Sequence, residues 1–374
     1  MKIQMCDLVG QYKKIQLEVD EAMLQVINTS AFINGPQVKK FKAGLEQYTG
    51  AKHVIPCANG TDALQIALMA LGLQPGDEVI VPAFTYVAAA EVIGLLRLIP
   101  VMIDVDYDSF NITLKNIEKG MSSKTKAIIP VHLFGQSCPM EEIMDFANLY
   151  KLFVVEDNAQ AIGANHLFAN GSVKQTGTIG HIGCTSFFPT KNLGCFGDGG
   201  AMMTDDDALA ERLRMMTVHG QTVKYHHDIL GCNSRLDTLQ AALLTIKLNH
   251  LDEYSQARRW AAKVYYEGLS GIDKIILPKE MPYSNHVYHQ YTIKVKNGRR
   301  NALKAYLLEK GIPSMIYYPL PLNEQNAFKN IARAAEKLNV SKELAESVLS
   351  LPMHTELKTD ELEYIINAVK NFFN

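Results

Sequence analysis

Between residues 53 and 204, short apolar runs alternate with longer helical patterns, and this alternation leaves the chain few possible folds. The runs are 53–57, 78–81, 100–105, 126–131, 152–156, 182–187 and 201–204. Helical periodicity separates several of them, at 61–71, 86–96 and 140–150. The runs are apolar throughout rather than alternating, as strands are when helices cover both faces of a parallel sheet. The expected architecture is therefore α/β, with a large, mostly parallel, seven-stranded sheet. Such sheets bind ligands outside the carboxyl ends of their strands, so the polar residues just after each run are the candidates for chemistry.

The rest of the chain frames that sheet. Helices are expected at 12–28 and 38–50, and at 205–216 after the last run. A polar loop, 219–233, leads into one long helical stretch, 234–269. Beyond it, a strand at 291–295, a helix at 302–310, a strand at 312–318 and helices near 341 and 360 suggest a smaller α+β unit. The chain then divides into a large domain, 1–250, and a small C-terminal domain, 251–374.

Composition excludes several function classes. The net charge is -2, with no basic block, so nucleic acid and anionic membrane are not expected partners. No stretch approaches the roughly 20 apolar residues of a membrane span, and the N-terminus lacks a signal-peptide pattern. The six cysteines are scattered and form no C-x-x-C pair, which predicts reduced thiols in a cytoplasmic protein and no zinc site.

Four features follow the apolar runs. Ala58-Asn-Gly-Thr-Asp62 opens a helix, and Gly60 and Thr61 there offer free N–H groups to an anion such as phosphate; the plainer alternative is that Thr61 only caps the helix. Phe84-Thr-Tyr86 supplies an aromatic, Tyr86, that can stack on a flat ring or fill the core. Glu156-Asp157 follows a Phe-Val-Val run, and a carboxylate buried there needs a cationic partner. Lys191 sits between an apolar run and a glycine-dense turn, where desolvation lowers an amine toward nucleophilic range. One cofactor uses all four, pyridoxal 5′-phosphate. Its aldehyde takes the lysine as a Schiff base, its ring nitrogen takes the carboxylate, its ring face the aromatic and its phosphate the helix N-terminus. Ser186 can add a phosphate hydrogen bond, and Gln160 can reach the ring hydroxyl.

With these residues in place, the chain resembles the DegT/DnrJ/StrS sugar aminotransferases. The resemblance runs through Gly60-Thr-Asp-Ala-Leu64, Phe84-Thr-Tyr86, Glu156-Asp-Asn-Ala-Gln160, the segment 186–200 and Asn233-Ser-Arg-Leu-Asp237. It implies a fold-type I aminotransferase that works as a homodimer with two shared active sites. L-glutamate would be the amino donor, 2-oxoglutarate its product and a keto nucleotide sugar the acceptor. Lys191 would be the Schiff-base lysine, Asp157 the pyridinium partner and Tyr86 the stacking ring. Gln160 would lie near the ring hydroxyl, and Gly60, Thr61 and Ser186 would hold the phosphate. Asn233 would reach the phosphate of the neighbouring subunit.

The segments 219–221, 224–227, 233–240 and 318–323 look like a subgroup that aminates C3 of UDP-2-acetamido-2-deoxy-3-oxo-glucuronate, as in surface polysaccharide (O-antigen, lipopolysaccharide) biosynthesis. That likeness implies that Arg235 meets the sugar carboxylate across the dimer and adds His226 and Tyr317 as substrate contacts. The chain departs from the subgroup at Tyr317, where the subgroup has histidine. The alternatives are a dTDP-3-oxo- or 4-oxo-6-deoxyhexose aminotransferase and a non-catalytic, cofactor-binding regulatory protein. Sugar dehydratases of this likeness carry histidine in place of the lysine, so Lys191 favours amination.

Overall fold

A computed structural model describes residues 3–374. Seven strands match the seven apolar runs: β1 (His53–Cys57), β2 (Glu78–Pro82), β3 (Ile99–Ile103), β4 (Thr125–Ile128), β5 (Phe153–Asp157), β6 (Ile182–Ser186) and β7 (Gly200–Thr204). They lie in the order β1-β7-β6-β5-β4-β2-β3. An eighth, two-residue strand, Arg333–Ala334, joins the edge at β3 in parallel. Every pairing is parallel except the two made by β7. The strand interiors are buried, as a sheet covered on both faces requires.

The eighth strand arrives from far along the chain, which is why no local pattern announces it. Arg333 fixes it there by donating to both carboxylate oxygens of Glu78, at 3.2 and 2.8 Å, and to the Gly120 carbonyl at 2.8 Å. Ser122 Oγ donates to the same carboxylate at 2.6 Å.

Several local expectations change. The helical stretch 234–269 is two helices, Thr238–Asn249 and Leu251–Leu269, broken at His250 where φ is -102° and ψ is 0°. The first helix likewise breaks at Ile15 into Leu8–Lys14 and Gln16–Thr29. The loop 219–233 contains a short hairpin, Gln221–Val223 with His226–His227. The segment 312–318 is not a strand; one isolated bridge joins Met315 to Ser350. Pro313, Pro319 and Pro321 remove N–H donors on either side of that bridge, so no ladder can extend from it.

Beyond residue 251 the chain builds a second core. A three-stranded antiparallel sheet, Ile275–Ile276, Tyr291–Val295 and Val348–Leu351, packs against Tyr265, Leu303, Leu307 and Ile365. The chain returns to the first core between these elements, through Leu322, Phe328, Leu338 and Leu344. Ile3, near the other end of the sequence, joins the second core. Among the described residues, no helix is long and apolar enough to cross a membrane.

Candidate active site

The carboxyl ends of β1, β5 and β6 open on one crevice, and antiparallel β7 brings its amino end, Gly200, to the same edge, opposite Cys57 and Ser186. The helix Gly60–Ala70 starts there. Asn59, not Thr61, caps it, accepting from Asp62 N at 2.8 Å. Neither Gly60 N nor Thr61 N has a backbone acceptor among the described residues, so both first-turn donors remain free. Glycine is needed at two points. A Cβ on Gly60 would lie 2.7 Å from Ser186 Cβ, and one on Gly200 would lie 2.5 Å from the Asn59 carbonyl. This close approach brings Gly60, Thr61 and Ser186 together at a helix N-terminus, whose free N–H groups and dipole can hold an anion.

The two adjacent carboxylates have separate roles. Glu156 is fully buried and fully occupied: it meets His132 Nε2 at 2.8 Å and accepts from Gly177 N, Ile179 N and Gly180 N at 2.8, 2.7 and 2.6 Å. Burial alone would raise its pKa, but the His132 contact and these N–H groups overcome that and hold it below the usual range. Glu156 therefore ties the 177–180 loop to the sheet. Asp157 is also buried, yet its carboxylate takes one hydrogen bond among the described residues, from Ala159 N to Oδ1 at 3.1 Å. Its pKa is raised by burial, against lowering by that N–H, by Lys191 and by His132. A carboxylate with Oδ2 open and too little positive charge nearby is one made to receive a cationic donor.

Lys191 lies on a tight turn that follows β6. Its backbone N donates to Phe188 O at 2.8 Å, and the next residue, Asn192, donates its side-chain amide to Val287 O at 3.1 Å. The Lys191 amine has neither a hydrogen bond nor an ion pair among the described residues. Burial brings its pKa down from 10.5 to about 8, with Asp157 pulling the other way. His289 also feels the charge of this amine. It is buried, its Nδ1 has no partner, and burial together with the Lys191 and Arg258 charges holds its pKa well below the usual value.

Tyr86 is 56% exposed at the mouth of the crevice, with its ring 6.2 Å from that of Tyr318. Gln160 is engaged at both ends of its amide. Its Oε1 accepts from Phe134 N at 2.8 Å and its Nε2 donates to Tyr318 Oη at 3.1 Å. Tyr318, unlike its neighbour Tyr317, was not a sequence candidate; the Tyr-Pro motif alone does not say which tyrosine turns inward. Burial pushes the Tyr318 phenol up, and it feels the charge of Asp157. Tyr317 is partly buried.

The remaining candidates lie outside this cluster. Asn233 is exposed and pairs its backbone with Val218, while Ser234 beside it is buried and its Oγ accepts from Ala58 N at 3.0 Å. Arg235 is partly exposed and has no ion pair among the described residues. His226 is exposed on the hairpin. A 970 Å³ cavity lined by Arg259, Tyr266, Tyr288 and Tyr291 lies beside the second core and holds none of these residues.

Taken together, the crevice offers an anion seat, a buried carboxylate with an open oxygen and an amine of lowered pKa. This donor set fits a phosphorylated pyridine that carries an aldehyde.

Comparison with known proteins gives a consistent result. The profile of the DegT/DnrJ/EryC1/StrS aminotransferase family matches residues 13–370. A pleiotropic regulatory protein of Geobacillus stearothermophilus is 44% identical, over 100% of this chain and 99% of that protein. A UDP-2-acetamido-2-deoxy-3-oxo-D-glucuronate aminotransferase of Pseudomonas aeruginosa is 42% identical, over 99% of this chain and 100% of that protein. The crystal structure of a DegT DnrJ EryC1 StrS aminotransferase from Brucella abortus superposes with a TM-score of 0.95 at 40% identity, with 100% of each chain covered.

Proposed function

This chain belongs to the DegT/DnrJ/EryC1/StrS aminotransferase family, and we propose that it transfers the amino group of L-glutamate to C3 of UDP-2-acetamido-2-deoxy-3-oxo-glucuronate. It is a sugar aminotransferase that depends on pyridoxal 5′-phosphate. When bound, that group supplies an aldehyde for amine capture and a ring that absorbs the electron pair left when a C–H bond breaks. Support for the residue roles rests above all on one observation: Asp157, with Oδ2 open, ends β5 beside β6, and the turn that follows β6 carries the Lys191 amine, unpaired among the described residues.

In this reading Lys191 would hold the cofactor through its amine. The Lys191 amine, with a pKa of about 8, would also act as general base toward the donor Cα proton. Asp157 keeps the ring nitrogen protonated, which satisfies the open Oδ2 and relieves the raised pKa of the carboxylate. Gly60, Thr61 and Ser186 hold the phosphate, and Tyr86 covers the ring. Gln160 acts near the ring hydroxyl, with Tyr318 in its hydrogen-bond reach. The second half-reaction runs the same proton transfers in reverse on the keto sugar.

Asn233, Arg235 and His226 lie on exposed or partly exposed surface, which suits a homodimer in which each subunit completes the other's site. Arg235 then binds the uronate carboxylate as a planar, bidentate cation. Tyr317, which stands where the uronate subgroup has histidine, favours a second reading, a dTDP-linked 3-oxo- or 4-oxo-6-deoxyhexose without a carboxylate.

Protein loaded with the amine form of the cofactor distinguishes the two. Mixed with 3-oxo and 4-oxo sugars on UDP and dTDP, it should recover the aldehyde-form absorbance with the UDP-uronate. Recovery with dTDP-6-deoxy sugars alone would replace the first reading by the second, and recovery with none would favour a regulatory role. For the uronate, Arg235→Met should lower kcat/KM by about 100-fold, the scale of losing one partner of a buried charge pair.

A further inference from the structure

The turn that carries Lys191 is held from outside as well as from within. Its internal bonds are Lys191 N to Phe188 O and Cys195 N to Phe187 O, each 2.8 Å. It leaves no room for a side chain at Gly194, where a Cβ would lie 2.3 Å from Pro189 O. The outside support comes from the helix Thr238–Asn249. Lys247 Nζ donates to Gly194 O at 2.8 Å and sits 5.3 Å from the centroid of the Phe196 ring. Gln240 Oε1 accepts from Phe196 N at 2.8 Å, and its Nε2 donates to Phe196 O at 3.2 Å. Residues 240 and 247 are two helical turns apart and so share one face.

Lys247 is an unusual choice for its position. The side chain is 2% exposed and has no carboxylate partner among the described residues. A buried ammonium without a counter-ion is costly; burial lowers its pKa to about 8, with the nearby Cys195 and Cys6 thiols opposing. A leucine or methionine would fill the same space without that cost. What it could not do is donate a hydrogen bond to the Gly194 carbonyl, three residues beyond Lys191.

We propose that Lys247, assisted by Gln240, is a positioning residue for Lys191: it fixes the turn so that the Lys191 amine stays aligned with Asp157 through both half-reactions. The proposal rests on the reading of Lys191 as the cofactor lysine.

The test compares wild-type holoprotein with Lys247→Met and Gln240→Met. Hydrogen exchange is followed at the amides of residues 191–197, together with the pH titration of the bound-cofactor absorbance and the kinetics of the glutamate half-reaction. Lys247→Met should show faster exchange in the turn, a displaced titration midpoint, and kcat down by at least about tenfold with glutamate KM little changed. Gln240→Met should show the same pattern at smaller size, and it carries the test if Lys247→Met fails to fold. Faster exchange with unchanged titration and kcat would make the contact merely structural and overturn the proposal; so would no change in any readout. Borohydride reduction of the wild type checks the underlying reading separately, because cofactor fixed at another lysine would refute that reading whatever the variants do.

Discussion

An amine that keeps its proton to about pH 10.5 in water releases it near pH 8 at Lys191, because packing removes the water that would solvate the ammonium. The neutral amine is the nucleophile, so cofactor capture by the apoprotein should quicken as pH rises through about 8 and level off above it. Stopped-flow capture rates across pH would show the inflection. Asp157 opposes the shift by stabilising the ammonium, so Asp157→Asn should move the inflection to lower pH. An inflection that stays in place, or moves up, would mean the two charges do not meet. Glu156, one residue earlier, shows how position separates like groups. It already has His132 and three backbone donors and has no capacity left for a ligand.

At the scale of elements, the helix Gly60–Ala70 and the ends of β6 and β7 are packed so closely that two glycines are obligatory. In Gly60→Ala, the new Cβ would lie 2.7 Å from Ser186 Cβ. Overpacking of this kind costs about 1–3 kcal/mol, and it should also weaken cofactor binding by spreading the anion seat; thermal unfolding of the apoprotein and a cofactor titration would measure the two effects separately. The seven strands were legible in the sequence because each is a short apolar run that packs on both faces, a purely local signal. The Arg333–Ala334 strand was not, because its place depends on the ion pair with Glu78 and not on its own two residues. The break at His250 was hidden for a similar reason, since both flanking segments have good helical periodicity. Within the crevice, residue types and order pointed to the anion seat, the carboxylate and the lysine. The engagement of Gln160, the inward turn of Tyr318 and the Lys247 support were invisible, because each depends on which side chain meets which across distant segments.

At the scale of the whole molecule, two cores are linked by a chain that passes between them more than once, and the crevice lies where segment 284–291 meets the Lys191 turn. On the proposed homodimer, Lys191 of one subunit and Arg235 of the other serve the same site. Lys191→Ala, inactive on the uronate, and Arg235→Met, about 100-fold reduced on it, should therefore complement when mixed and allowed to exchange subunits. A heterodimer has one intact site, so random assortment restores about one quarter of wild-type activity. No recovery, despite proven exchange, would place both residues in a site made by one chain.

The covalent bond at Lys191 is the claim on which the other assignments depend. Lys247 is the natural competitor, since it is buried and its pKa is likewise brought down to about 8. Borohydride reduction of the holoprotein, followed by peptide mass mapping, decides between them. The reduced cofactor is expected on the peptide containing Lys191 and absent from the Lys191→Ala protein; its appearance on Lys247 or any other lysine would contradict the account.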